Sequence, residues 1–161
     1  MGYNTEGTEW PADNVTPSVK ALIDRFFNLL DNTGSDVGNI LADEVFAKDA
    51  VAQFGMHTFE GSEQIRKSRD NAWTLFTARQ HRVLRVYTHD KEGTDLLFIG
   101  HVAMDLKNGK HVAGEFTGRF TIADASSPSP QLKSYAIWAV RSFLPSILQE
   151  LTIRNRTLVH S

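Results

Sequence analysis

The chain contains no cysteine, which excludes disulfides, thiolate zinc sites and thiol nucleophiles and suits a reducing, cytoplasmic setting. It lacks any dominance of one charge: 17 Lys and Arg stand against 19 Asp and Glu, for a net charge of −2. No basic field is therefore available to draw nucleic acid, and no basic run marks an anionic membrane surface. Long hydrophobic runs are missing too. No stretch approaches the roughly 20 apolar residues needed to span a bilayer, and residues 1–16 have neither the basic start nor the apolar centre of a signal peptide. There is no Gly-x-Ser-x-Gly, no glycine-rich phosphate loop, and no histidine pair at the i, i+4 spacing of a helical metal site. No metal or nucleotide cofactor is expected.

What is present suits a single domain. The chain has 161 residues, 41% of them hydrophobic, enough for one sizeable core. Residues 1–15 read as a polar N-terminal arm and 143–161 as a C-terminal helical extension that Pro145 can open. Thr16 and Pro17 predict a helix start, since threonine caps free amides and proline gives up an N–H that would have no partner. Val19, Leu22, Ile23, Phe26, Phe27 and Leu30 then recur at three- and four-residue spacing up to Asp31, one apolar stripe. A short helix is expected over Ser35 to Leu41. A strand follows over Ala50 to Phe59, and a third helix over 60–76 with Ser62 as its cap.

From there the pattern is strands. His81–Thr88, Asp95–Leu106, Lys110–Ala123 and Leu132–Arg141 alternate or run apolar, separated by "HDKEGTD", "KNG" and "ASSPSPQ". Asn108-Gly109 predicts a two-residue type I′ hairpin. Helices followed by a long meander indicate an α+β domain, with helices on one face of a curved antiparallel sheet enclosing a cavity.

The opening helix ending in Asp31, the "FAKDAVAQF" entry to the first strand, the "FEGSEQIRKS" passage with its turn from Gly61 to Ile65, and the four strands resemble the SnoaL-like and scytalone-dehydratase-like branch of the NTF2-like superfamily over residues 17–141. The resemblance implies a cone-shaped fold, with a strongly curved antiparallel sheet, three N-terminal helices on its concave face and a C-terminal helix. It also implies a small cyclic, hydrophobic substrate, no cofactor, and a homodimer formed through the sheet. Members of the branch include dehydratases, isomerases and cyclases of polyketide- or terpenoid-like metabolites, and also non-catalytic binding modules.

In scytalone-dehydratase-like enzymes an aspartate ends the first helix and a histidine follows a glutamine in a later strand. "NLLDN" supplies Asp31 here, and "RQHRV" supplies Gln80 and His81. His101 is a displaced match to a second histidine, and Leu30 stands where those enzymes carry a tyrosine. The resemblance thus nominates Asp31, His81 and His101 as catalytic. A histidine suits the work because it takes and gives protons near neutral pH, and a carboxylate on one ring nitrogen fixes its tautomer. The plainer reading, with Asp31 capping a turn and His81 opening an exposed strand beside Arg79 and Arg82, stays open at this point.

Strict alternation puts Tyr87 on the face of His81, which makes it a candidate proton donor. Phe27, Phe54, Met56, Trp73, Phe76, Phe116 and Trp138 are expected as apolar walls around a substrate. Tyr135 faces away from Trp138 on the last strand, and His57 precedes a turn and reads as structural. Glu115 and Arg119 share a strand face that points either into the cavity or to solvent. Epoxide opening would need Asp105 and Arg119 to converge.

Overall fold

The computed structural model describes residues 2–12 and 14–139; the helix expected over 143–161 lies outside them. Helix α1 (Pro17–Leu30) begins as the sequence predicts, with the Thr16 hydroxyl accepting the Val19 N–H at 3.3 Å and proline in the first turn. Its apolar stripe, Val19, Leu22, Ile23, Phe26, Phe27, Leu29 and Leu30, is buried. Asp31 is the C-cap residue, and its N–H donates to the Phe27 carbonyl at 3.0 Å. A short helix α2 (Val37–Ile40) runs into one π-helical turn over Leu41–Val45.

The chain then enters the hairpin of β1 (Phe46–Phe54) and β2 (His57–Glu60), where one strand over Ala50–Phe59 was expected. Gly55, at φ +62°, makes the reversal that alternation alone does not reveal. The third helix, α3 (Gly61–Lys67), is shorter than its expected span, and its N-cap is Glu60, not Ser62. Beyond Lys67 successive turns, closed by Ser68 N–H to Ile65 O and Asp70 N–H to Lys67 O, replace the helix. Asp70 and Asn71 favour such turns by binding nearby backbone, and the irregular path frees Arg69 and Trp73 for distant partners.

Strands β3 (Phe76–Thr88), β4 (Asp95–Leu106), β5 (His111–Ala123) and β6 (Gln131–Ala139) form the expected antiparallel meander. The six-stranded sheet has the order β2-β1-β6-β5-β4-β3. It is mixed and not wholly antiparallel, because β1 pairs with β6 in parallel. The "KNGK" turn is a three-residue hairpin loop: Gly109 N–H donates to Leu106 O at 2.9 Å and Leu106 N–H to Lys110 O at 2.8 Å. Gly109 sits at φ +85°, and Asn108 does not take the positive φ that type I′ requires.

Phe26 and Phe27 of α1 meet Phe120, Tyr135, Phe98 and Phe116 of the sheet at centroid distances of 4.7–6.3 Å. Gly100 and Gly118 make room for these rings, since a Cβ at either would lie within 2.7 Å and 2.5 Å of Phe116 and Phe98 respectively. The core is thus aromatic, and it floors a cavity at the end of α1.

Candidate active site

Asp31 and His81 come together from 50 residues apart. The C-terminal end of α1 points Asp31 at β3, and His81 Nδ1 lies 2.5 Å from its Oδ1. The other carboxylate oxygen accepts the His81 backbone N–H at 2.8 Å and the Asn4 side-chain amide at 3.0 Å. That same Asn4 nitrogen donates to the His81 carbonyl at 2.8 Å. Aspartate, histidine side chain and histidine backbone are therefore locked as one unit. Both side chains are nearly enclosed, 14% and 11% exposed. Below the imidazole lie Phe27, 5.2 Å between centroids, and Phe116, at 5.8 Å.

With Nδ1 committed to Asp31, Nε2 is the ring nitrogen left for the cavity that His81 lines. This cavity has a volume of about 580 Å³, within the usual range for a small-molecule site. Leu30, Phe54, Phe59, Phe76, Ala72 and Ile137 give it apolar walls, and Arg69, Arg79, His81 and Tyr135 give it polar ones. Burial pushes the His81 imidazole below its ordinary value; its hydrogen bond and attraction to Asp31 pull the other way, and Arg79 and Arg69 push further down. The ring is accordingly neutral at neutral pH and free to accept a proton. Burial raises the Tyr135 phenol, so it keeps its proton and acts only as a neutral donor.

The two arginines were not anticipated. Arg69 and Arg79 both donate to the Leu30 carbonyl, the former at 3.0 Å, at the end of α1 where helical carbonyls lack partners and the dipole favours cations. Arg79 stacks on Trp73, 4.6 Å from guanidinium to ring centroid. Its Nε is 3.8 Å from Asp31. Burial lowers both guanidinium groups, taking Arg69 down to about 10 with the help of its neighbour Arg79. Alternation held the signal for Arg79, since it lies two residues before His81 and shares its face. Nothing local signals Arg69 or Asn4.

Other expected members are placed elsewhere. A bulge between Val83 and Arg85 breaks the period, so His81 and Val83 face inward, Val86 takes the next buried position, and Tyr87 turns out, 44% exposed. One extra residue flips every side chain beyond it. His101 shares the outer face of β4 with Leu97 and Ile99, between Arg82 and Glu115 on the flanking strands; Val102 and Gly100 take the inward positions, so His101 does not join His81. Met56 sits in the β1–β2 turn, 85% exposed, and Trp138 on the outer face, 51% exposed. Trp73 buttresses Arg79 and is absent from the cavity wall. Phe54 and Phe76 do line it, and Phe27 and Phe116 lie beneath the imidazole. His57 stands at the wall as well. Glu115 and Arg119 face outward. Arg119 binds Asp95 through two hydrogen bonds and Asp105 pairs with His111, so Asp105 and Arg119 do not converge.

No family model and no curated protein matches the sequence. Solved structures do match by shape. An NTF2-like protein of unknown function from Exiguobacterium sp. 255-15 is 13% identical with a TM-score of 0.59, over 75% of this chain and 99% of that one. A protein assigned as a SnoaL-like polyketide cyclase from Jannaschia sp. CCS1 is 16% identical, TM-score 0.57, over 80% and 88%. A hexachlorocyclohexane dehydrochlorinase is 14% identical, TM-score 0.54, over 78% and 88%. At these identities the likeness establishes architecture alone. A helix-covered, curved six-stranded sheet with these neighbours identifies the fold of the chain as NTF2-like.

Proposed function

We propose that the protein is a cofactor-independent acid/base lyase or isomerase acting on a small cyclic, mostly apolar metabolite of the polyketide or terpenoid kind. The observation that carries this reading is the buried Asp31–His81 pair, 2.5 Å apart, at a cavity that sets apolar side chains such as Leu30, Phe54, Phe76 and Ile137 beside a few polar ones. Neutral His81 takes a proton from carbon through Nε2, while Asp31 holds Nδ1–H and stabilises the imidazolium that forms. The same nitrogen then returns the proton, to a departing hydroxyl in a dehydration or to another carbon in an isomerisation. Both half-steps move only protons and electron pairs within the substrate, so neither calls for an electron carrier. The Tyr135 hydroxyl, buried at the wall, is suited to donate to a carbonyl oxygen as enolate charge develops. The cyclase and dehydrochlorinase among the structural neighbours support the reading, as this architecture hosts such chemistry in those proteins.

Proton abstraction next to a carbonyl is testable without knowing the natural substrate. A panel of cyclic ketones and β-hydroxyketones in D₂O, followed by NMR, reports deuterium wash-in and elimination. Wild-type protein should catalyse exchange or elimination on part of the panel, and His81→Ala should be slower by about 10²-fold or more. Equal rates for the two proteins, or no catalysis by the wild type, would reject the proposal.

A further inference from the structure

The cavity wall carries more positive charge than the protein neutralises. Among the described residues lining it, Lys67, Arg69 and Arg79 are cationic and none is acidic. Lys67 is paired with Glu63 at 3.2 Å on the exposed side of α3. Arg69 and Arg79 share one backbone carbonyl, that of Leu30. The nearest carboxylate, Asp31, is 3.8 Å from Arg79 and already holds three shorter hydrogen bonds from His81 and Asn4. The Nε atoms of both arginines are buried with no hydrogen-bond partner. Buried guanidinium groups are ordinarily matched by carboxylates in bidentate geometry, and burying a charge without its partner is costly. Two arginines against one aspartate leave an excess of one positive charge.

We infer that the cavity takes its substrate as a monoanion, a cyclic carboxylate whose charged end meets Arg69 and Arg79 and whose ring lies against Phe54, Phe59, Phe76 and Ile137. A single negative charge balances the excess, whereas a dianionic phosphate would overshoot it. A planar carboxylate also matches the guanidinium fork. The volume of about 580 Å³ admits one or two fused rings beside it. The carboxylate places the adjoining carbons near His81, where a second function of the arginines follows: they stabilise negative charge that spreads onto the carboxylate when a neighbouring carbon loses its proton. This substrate class rests on the acid/base reading for its catalytic use, but binding itself does not require His81 to react.

The test compares naphthalene-2-carboxylate with the neutral naphthalene-2-carboxamide, by calorimetric titration of the full chain at pH 7.5. The acid should bind about tenfold or more tightly than the amide, as a charge-assisted contact exceeds a neutral one. Arg69→Met should erase most of that preference, with the acid losing about tenfold more affinity than the amide. Wild-type protein supplies an independent reading if the arginine variants do not fold: the acid should raise the NMR titration midpoint of the His81 ring, because an anion beside it favours the charged imidazolium, and the amide should not. Equal affinities for acid and amide, or no binding of either, would overturn the inference. Acid preference together with unchanged exchange in His81→Ala sinks the catalytic reading and leaves this one standing; the reverse pattern does the opposite.

Discussion

Among the described residues, two aspartate–histidine pairs of nearly the same bond geometry stand in opposite surroundings. Asp31 and His81 are 2.5 Å apart, and Asp105 and His111 are 2.7 Å apart. The second pair joins neighbouring strand ends on the outer face, with side chains 56% and 63% exposed. Its atoms exchange partners with water at little cost, and exposed ion pairs contribute about 0–1 kcal/mol. The first pair is nearly enclosed, is fixed by a third residue, and stands over aromatic rings. A distance alone therefore says little about function. Enclosure and the further hydrogen bonds on the carboxylate separate a poised base from a surface contact.

Removing each carboxylate should separate the pairs most. Asp31→Ala leaves the His81 ring, the His81 backbone N–H and the Asn4 amide without their acceptor inside the fold, and should cost roughly 3–5 kcal/mol. Asp105→Ala should stay within about 0.5 kcal/mol. Urea unfolding of both variants measures this, and comparable midpoints would show that the buried pair is no more than a surface one. The histidines follow in size. His81→Ala should lower turnover by about 10²-fold, with His111→Ala indistinguishable from wild type in the same exchange assay.

Much of this contrast was legible in the sequence, for reasons that particular residues make plain. Strand β4 runs from Asp95 to Leu106, the bounds its alternation predicts, because both its neighbours are strands and its inward residues are large and apolar. Helix α1 announced itself through Thr16, Pro17 and the stripe ending at Leu30. The Asp31–His81 encounter came from resemblance, since no local rule reports on a contact between residues 50 apart. Tyr87 misled because period-two reasoning cannot see a bulge, and a single extra residue near Leu84 reverses the faces. His101 misled because its strand is apolar on both faces at the centre, so alternation alone did not say which face was inward. Arg69 and Asn4 carry no periodic signal whatever: each lies in irregular chain and acts through a tertiary hydrogen bond.

Asn4 gives the comparison its third element, because its side-chain nitrogen bridges the Asp31 carboxylate and the His81 carbonyl, tying the buried pair to the N-terminal arm. The arm that carries it is anchored by Asp24, whose Oδ1 accepts the Asn4 N–H at 3.1 Å and the Thr5 N–H at 3.0 Å. It also extends the free edge of β3, with Val83 N–H donating to Asn4 O at 2.8 Å and Val86 N–H to Glu9 O at 2.9 Å. Asn4 is a positioning residue, and Asn4→Ala should cost about 2 kcal/mol, the range for leaving buried polar partners unmet. Thr8 donates to the Val83 carbonyl without touching the pair, so Thr8→Ala tests the arm alone and should leave turnover unchanged. Loss of turnover in Thr8→Ala equal to that in Asn4→Ala would assign the effect to docking of the arm and not to alignment of the carboxylate.

The smallest expected effect concerns acid. Burial, aided by Arg79 and Arg69, holds folded His81 below its ordinary 6.5 despite the pull of Asp31. An unfolded chain protonates this ring near 6.5, and the folded chain does so only at lower pH. Between the two values the unfolded state binds more protons, so stability falls as pH drops through that window. Above about 6.5 neither state is protonated at this ring and the contribution is flat. His81→Gln removes the titration, and its urea midpoint should decline less than that of wild type on going from neutral pH into the acid range. His111→Gln serves as the control for losing an exposed imidazole. Turnover should show the same signature, an acid limb lying below the usual histidine range with a plateau above it. Equal acid slopes for wild type and His81→Gln would mean that the ring titrates as it does in the open chain, and the two pairs would then differ in exposure but not in electrostatics.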